Sequence, residues 1–191
     1  MAGKGMLVVL SAPSGCGKDT VFKELCKRRD DIVKSVSATT RNPREGEKDG
    51  VDYYFKTEEE FKRLINSKGL LEYTVYNGCY YGTPVEGVNK AINEGKICFL
   101  IIEVEGGQNI MKLMPECVPV FLLPPSLEVL EERLIKRHTD SMEDIKHRIE
   151  LAKTELSLAD VYKYNVVNDD LKKAVDKIEE ILEKELLAHN R

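Results

Sequence analysis

Residues 6–20, MLVVLSAPSGCGKDT, join a continuous apolar run to a glycine-rich turn that contains a lysine. A short apolar run before such a turn is typical of a buried parallel strand. Gly15 and Gly17 let the backbone turn its N–H groups toward a phosphate, and a helix that begins near Lys18 would add its positive end. The lysine ammonium would reach the outer phosphates as a point charge. The stretch therefore predicts a strand, a phosphate-binding loop and a helix, and a plain glycine turn is the weaker interpretation.

The loop departs at two positions from the pattern G-x-x-x-x-G-K-[ST]. Ala12 replaces the first glycine, and its methyl group need not obstruct a phosphate. Asp19 stands where a serine or threonine hydroxyl would meet magnesium, and a carboxylate is a stronger, charged ligand. Thr20 lies about 100° further round the helix, so it is not an obvious replacement. We expect Asp19 to hold Mg²⁺ directly or through water; the alternative is a decayed loop that only binds.

Composition and charge exclude several classes of protein. The 191 residues carry a formal net charge of −4, which argues against a general nucleic-acid binder. The five cysteines have no C-x-x-C spacing, so they indicate free thiols in a reducing compartment. The N-terminal apolar run 6–10 is too short for a signal sequence or a membrane span. We therefore expect a cytoplasmic protein with neither a nucleic-acid nor a membrane partner.

Apolar runs and helical spacings alternate through most of the chain. The predicted strands are 6–10, 97–102, 118–123 and 164–167, and the predicted helices are 18–28, 107–114, 126–137 and 171–187. Strands that alternate with helices indicate an α/β fold with a parallel, wound sheet. The last helix is amphipathic and could belong to the core or to a dimer face. Monomer and homodimer therefore both stay open.

Two segments interrupt this alternation. Residues 37–83 are polar, aromatic and rich in turns, which predicts a small mixed β insertion. Residues 136–154 are heavily charged and offer little apolar material to bury, which predicts an exposed, mobile lid. The core of a single domain would then consist of three pieces, 1–36, 84–135 and 155–191.

Residues 35–55, SVSATTRNPREGEKDGVDYYF, follow the phosphate loop. They resemble the guanylate kinase family, in which S-x-T-T-R-x-P-R-x-G-E-x-x-G-x-x-Y-x-F stands at this distance from the loop. The resemblance covers nearly the whole chain and continues through 71–73, 80–83, 124–126, 133–137, 148 and 167–170. It implies a three-layer core of the P-loop NTPase type, with the insertion binding GMP and a helical lid. It also implies ATP-dependent phosphorylation of GMP, and of dGMP, in purine nucleotide metabolism.

The residue chemistry of the insertion suits a phosphate monoester. Arg41 and Arg44 flank Pro43, so two guanidinium forks are held by a stiffened turn. Tyr53 and Tyr81 could each add a hydroxyl donor. Taken alone, the arginines fit a solvated loop and the tyrosines fit ordinary sheet packing. The resemblance implies that these four residues bind the phosphate of GMP.

Glu72 is the residue that the resemblance assigns to guanine. A carboxylate accepts two hydrogen bonds side by side, which matches the N1–H and 2-amino donors that adenine lacks. Ser37 and Thr83 would serve the remaining base edge with their hydroxyls. Glu103 would contact the guanine 2-amino group or a water on magnesium.

The resemblance also supplies the ATP side of the site. It assigns ATP binding to Ser14, Gly15, Cys16, Gly17, Lys18, Asp19, Thr20 and Asn168. The implied catalytic cations are Lys18, Arg133, Arg137 and Arg148, with Mg²⁺ as the cofactor. Phosphoryl transfer requires positioning and charge neutralisation rather than a covalent partner, so such cations are the expected machinery.

One further stretch departs from the family pattern L-[DE]-I-D-x-Q-G. Ile101 replaces an acid, Glu103 replaces the aspartate and Glu105 replaces the glutamine. Two alternatives to a guanylate kinase follow. The same fold serves as a phosphopeptide-binding module in scaffold proteins, although the retained Lys18 argues against it. A kinase with a different acceptor is the other, because these substitutions change the acids near the acceptor.

Overall fold

The computed structural model describes residues 5–76, 78–136 and 141–189. In chain order its elements are β1 (Met6–Ser11), α1 (Lys18–Arg28), β2 (Ile32–Lys34), β3 (Ala38–Thr39), β4 (Tyr54–Phe55), α2 (Glu58–Asn66), β5 (Leu70–Tyr76), β6 (Cys79–Pro84), α3 (Val85–Asn93), β7 (Ile97–Ile102), α4 (Val104–Leu113), β8 (Val118–Leu123), α5 (Leu127–Ile135), α6 (Met142–Leu156), β9 (Tyr164–Val167) and α7 (Leu171–His189).

The core is a parallel sheet in the order β2-β7-β1-β8-β9. The central strand β1 is buried along its whole length, and its side chains alternate between two apolar clusters. Val8 and Leu10 pack with the first cluster, which includes α1 and α7, whereas Leu7 and Val9 pack with the second, which includes α3 and α4. Helices therefore cover both faces of the sheet, and the predicted wound α/β fold is confirmed.

The segment between β2 and α3 forms a second, mixed sheet in the order β4-β3-β6-β5. Helix α2 packs on it through Phe61, which is fully buried and stacks on Tyr80 with ring centroids 5.2 Å apart. Thr57 and Glu60 form a capping box that fixes the start of α2. The described residues thus include the small β insertion that the sequence predicts.

Three elements lie outside the predicted pattern, namely β2, α2 and α3. The segment 136–154 also differs from the expectation of little apolar burial, because α6 buries Ile145 and Ala152 against the first apolar cluster. Its charges lie on the remaining faces of an amphipathic helix. None of the helices within the described ranges is both long and apolar enough to cross a membrane.

Candidate active site

The phosphate loop joins the buried strand β1 to α1, so its backbone is held at the carboxyl edge of the parallel sheet. Gly15 and Gly17 have φ values of 95° and 92°, a left-handed conformation that disfavours other residues. A Cβ atom on Gly17 would lie 2.8 Å from Asn168 Nδ2. That nitrogen donates to the Cys16 carbonyl at 2.8 Å. Asn168, which follows β9, therefore holds the loop in place through this hydrogen bond.

Lys18 is folded back over the same loop. Its ammonium donates to the Ala12 carbonyl at 2.7 Å and lies 3.4 Å from Glu103 Oε2. These two contacts hold the Lys18 ammonium in place, and the side chain is only 11% exposed. Cys16 contributes only its backbone, because its thiol is buried and burial raises the pKa to about 12.

Two cavities meet at the loop, one of about 650 Å³ and one of about 370 Å³. The larger brings together the predicted residues Ser14, Gly15, Gly17, Lys18, Asp19, Thr20, Ser37, Arg41, Arg44, Tyr53, Glu72, Tyr81, Glu103 and Arg148. The smaller brings together Gly15, Gly17, Thr20, Arg133 and Asn168. Thr20 lines both cavities, whereas Asp19 lines the larger one.

An anion already occupies the arginine fork of the insertion. The Arg41 guanidinium donates to both carboxylate oxygens of Glu47 at 2.9 and 3.0 Å. One Glu47 oxygen also accepts from the backbone N–H of Arg44 at 2.7 Å. The Arg41 guanidinium lies 5.3 Å from the centre of the Tyr53 ring, which packs edge-on against Tyr81. The ion pair raises the pKa of Arg41 and lowers that of Glu47. This group of side chains is organised around one planar, negatively charged partner.

Glu72 lies at the other end of the larger cavity and is 9% exposed. Its Oε1 accepts from the Thr83 hydroxyl at 2.8 Å. Thr83 is fully buried, so its hydroxyl is directed at Glu72 and not at open space. Burial raises the pKa of the Glu72 carboxyl, against the opposing effect of the Thr83 hydrogen bond. A Cβ on Gly106 would lie 3.2 Å from Glu72 Oε2, so the glycine keeps that side open.

Two of the cations predicted for the lid lie on helices that the structure describes. Arg148 of α6 donates to Ser14 Oγ at 3.4 Å, and Arg133 of α5 donates to the Asn168 carbonyl at 2.9 Å. Arg137 falls outside the described residues. Arg148 therefore contacts the phosphate loop itself, and Arg133 contacts Asn168, which holds the loop in place.

Asp19 lies in the first turn of α1 with its side chain 72% exposed, and Lys34 Nζ lies 3.8 Å from its Oδ1. The carboxylate therefore faces the larger cavity as an open oxygen ligand. No cluster of three or more metal-ligating side chains occurs within the described ranges. Mg²⁺ commonly uses one or two carboxylates together with substrate phosphates and water, so a single carboxylate at the phosphate loop fits this ion.

Sequence reasoning missed three residues of the site. Glu47 holds Arg41, and its signal was the acid three residues after Arg44. Lys34 carried no local signal, because β2 was not predicted. Glu155 follows Arg148 and the buried Ala152 at helical spacing, so it shares their face of α6. Burial, and next the Glu103 carboxylate, raise the pKa of Glu155 to about 7.

Comparison of the sequence with known proteins identifies relatives over nearly the whole chain. The sequence model of the family described as Guanylate kinase matches residues 4–185. A guanylate kinase of Bacillus cereus is 48% identical over 180 residues, which are 94% of this chain and 88% of the relative. A guanylate kinase of Listeria innocua is 47% identical over 192 residues, covering 100% of this chain and 94% of the relative.

Solved structures show the same fold. The crystal structure of guanylate kinase from Anaplasma phagocytophilum has a TM-score of 0.80 and 36% identity, and the match covers 96% of this chain and 87% of that one. The SH3-kinase fragment of tight junction protein 3 has a TM-score of 0.52 at 9% identity, covering 97% of this chain and 59% of that one. The second likeness concerns the fold alone.

Proposed function

Because the chain belongs to the guanylate kinase family, we propose that its larger cavity holds GMP and that its phosphate loop holds ATP. The protein is an enzyme that phosphorylates GMP to GDP with ATP. One observation carries the placement: the loop stands between the cavity that contains Arg41 and Glu72 and the cavity that contains Asn168. A donor on the loop would then face an acceptor in the larger cavity.

The acceptor phosphate would take the place of Glu47. In the free protein the Glu47 carboxylate satisfies the Arg41 fork and the Arg44 N–H. A phosphate offers the same bidentate pairing through two of its oxygens with more charge, and Tyr53 and Tyr81 line the same cavity, so that their hydroxyls would be further donors. Glu47 thus keeps the fork in its binding orientation until the substrate arrives.

Glu72 would accept the two guanine donors, with Ser37 and Glu103 on the same cavity wall. The Thr83 hydroxyl donates to Glu72 and so orients this carboxylate, and its contact with the remaining base edge stays a prediction. We include dGMP as an acceptor, because the residues assigned here address the base and the phosphate and not the sugar.

Charge neutralisation on the moving phosphoryl group would come from fixed cations. Lys18 is positioned over the loop, Arg148 approaches it through Ser14, and Arg133 approaches it through the Asn168 carbonyl. Asp19 would hold Mg²⁺, which neutralises charge on the phosphates when bound. The acceptor is already an anionic oxygen, so positioning and exclusion of water are the remaining tasks of the protein. Arg137 would add a further cation.

We also propose a cytoplasmic location, which the cysteines support. All five are free thiols, and Cys98 and Cys117 are buried, which raises their pKa values to about 12 and about 11. Free thiols are typical of a reducing compartment, which supports the cytoplasm.

The division of labour is tested with Lys18→Ala and Arg41→Ala, each measured by coupled ADP release and by calorimetric GMP binding. We expect Lys18→Ala to lower turnover by about 10²–10³-fold while the Kd for GMP stays within about threefold. Arg41→Ala should raise the Kd for GMP by about 10–100-fold, because a charge-assisted pair is lost. Lys27→Ala is the matched control, since Lys27 is an exposed α1 lysine paired with Glu24. Equal loss of GMP binding in both site variants would refute the placement.

A further inference from the structure

A lysine from another strand reaches the aspartate of the phosphate loop. Lys34 Nζ lies 3.8 Å from Asp19 Oδ1, and the two side chains are 29% and 72% exposed. Both line the larger cavity. The pair therefore forms part of the cavity wall that would face the acceptor.

The position of Lys34 is fixed by the sheet. It is the last residue of β2, where it pairs with Phe99 of β7, and the next residue donates its N–H to the Phe99 carbonyl at 2.9 Å. The carboxyl ends of parallel strands form the edge at which ligands bind. The lysine thus extends from a rigid strand end toward a loop residue that is distant in sequence.

Asp19 also acts on the acceptor side of the cavity. Burial, then Tyr81, then the Asp19 charge raise the pKa of the Tyr53 hydroxyl to about 12. Asp19 is therefore close enough to Tyr53 for its charge to be felt by a group that we assign to the GMP phosphate. An uncompensated carboxylate at this place would repel a phosphate monoester.

We propose that Lys34 is a positioning residue for the acceptor. Its ammonium neutralises the Asp19 carboxylate, so that the GMP phosphate can bind beside a phosphate loop that carries an acid. The inference rests on the proposed placement of GMP. Lys34 compensates the one residue at which this loop departs from a neutral hydroxyl, and its contribution to GMP binding therefore depends on Asp19.

The test is a double-mutant cycle on the full chain, read by calorimetric GMP binding in EDTA without ATP. Lys34→Met should raise the Kd for GMP about tenfold at low salt in the parent background. In the Asp19→Ser background the same change should cost less than about twofold, because no carboxylate is left to neutralise. Lys34→Arg should restore binding to within about threefold of the parent. In turnover assays, where Mg²⁺ on Asp19 would also neutralise the carboxylate, Lys34→Met should raise KM for GMP by less than it raises the Kd in EDTA, and kcat should change less than KM.

The matched control is Lys23→Met. Lys23 lies one helical turn beyond Asp19, is exposed and lines the same cavity. A loss for Lys23→Met equal to that for Lys34→Met would mean that only the general charge of the cavity matters, and would overturn the proposal. So would an equal loss for Lys34→Met in both backgrounds, with thermal unfolding showing that each variant is folded. Unchanged GMP binding in Lys34→Met would overturn the proposal for Lys34. Unchanged GMP binding in both Lys34→Met and Arg41→Ala would mean that the placement of GMP itself is wrong.

Discussion

Replacing Glu72 with glutamine tests the guanine site most directly. Glu72 is 9% exposed, and its Oε1 accepts from the Thr83 hydroxyl at 2.8 Å. Glutamine has the same shape, so the pocket would keep its packing. It converts one oxygen into an amino group, which would point a donor at a guanine donor. The variant therefore removes one acceptor and creates one repulsion without opening a cavity.

The magnitude follows from the hydrogen bonds at stake. A hydrogen bond to a charged group contributes about 1.5–3 kcal/mol, and guanine presents two donors to the carboxylate. The loss of one of these bonds would cost about 1.5–3 kcal/mol, or about 10–10²-fold in kcat/KM for GMP, and the donor–donor contact that replaces it would add to this loss. AMP has no such donors, so its kcat/KM should change less than about tenfold. The ratio of the two substrates is thus the sensitive quantity.

The assay is coupled ADP release with GMP and AMP over a range of pH. Burial raises the pKa of Glu72, and guanine requires the ionised form. The kcat/KM for GMP should therefore fall, as the pH decreases, at a higher pH than an ordinary glutamate would give, and this limb should be absent in Glu72→Gln. Glu105→Gln is the control, because it makes the same chemical change at an exposed residue whose charge acts on Glu72. Unchanged discrimination between GMP and AMP in Glu72→Gln would refute the assignment.

Two further predictions concern acids near the phosphate loop. Burial and Glu103 raise the pKa of Glu155 from 4.5 to about 7, so the folded state favours its protonated form and stability is lost as pH rises through that window. The free energy of unfolding, measured at pH 4.5 and pH 8, should therefore fall by about 1–3 kcal/mol less in Glu155→Gln than in the parent. An equal fall in both proteins would contradict this prediction. Asp19→Ser should shift the magnesium dependence of turnover to higher concentration, and an unchanged magnesium curve would exclude Asp19 as a ligand.

Local sequence patterns predict the fold where the residues of a segment themselves favour its structure. The strand β1 and the helix α1 are an example, because a buried apolar run, two glycines and a helical apolar face follow each other without a gap. The short strand β2 is the opposite case. It has three residues and is defined by its pairing with β7, more than sixty positions away in the chain. Such an element depends on its neighbour and leaves no periodic pattern to read.

The candidate site divides in the same way. Residue types and the family resemblance identify Arg41, Glu72 and Lys18, because their chemistry matches a phosphate and a guanine edge. The partners that orient them are set by the folded backbone: Glu47 holds Arg41 within one loop, and Thr83 holds Glu72 from the neighbouring strand. The Thr83 hydroxyl, which the resemblance assigns to the base edge, also donates to the Glu72 carboxylate, a contact that sequence spacing alone does not contain.

The three positions at which this chain differs in acids from its family pattern do not form one cluster. Asp19 acts on Tyr53, at the phosphate end of the proposed acceptor site, and is paired with Lys34. Glu105 acts on Glu72, at the base end, where its charge helps to raise the Glu72 pKa. Ile101 packs against the first apolar cluster and lines the larger cavity. An acid gained at one end therefore does not replace an acid lost elsewhere; the two gained acids act at opposite ends of the proposed acceptor site.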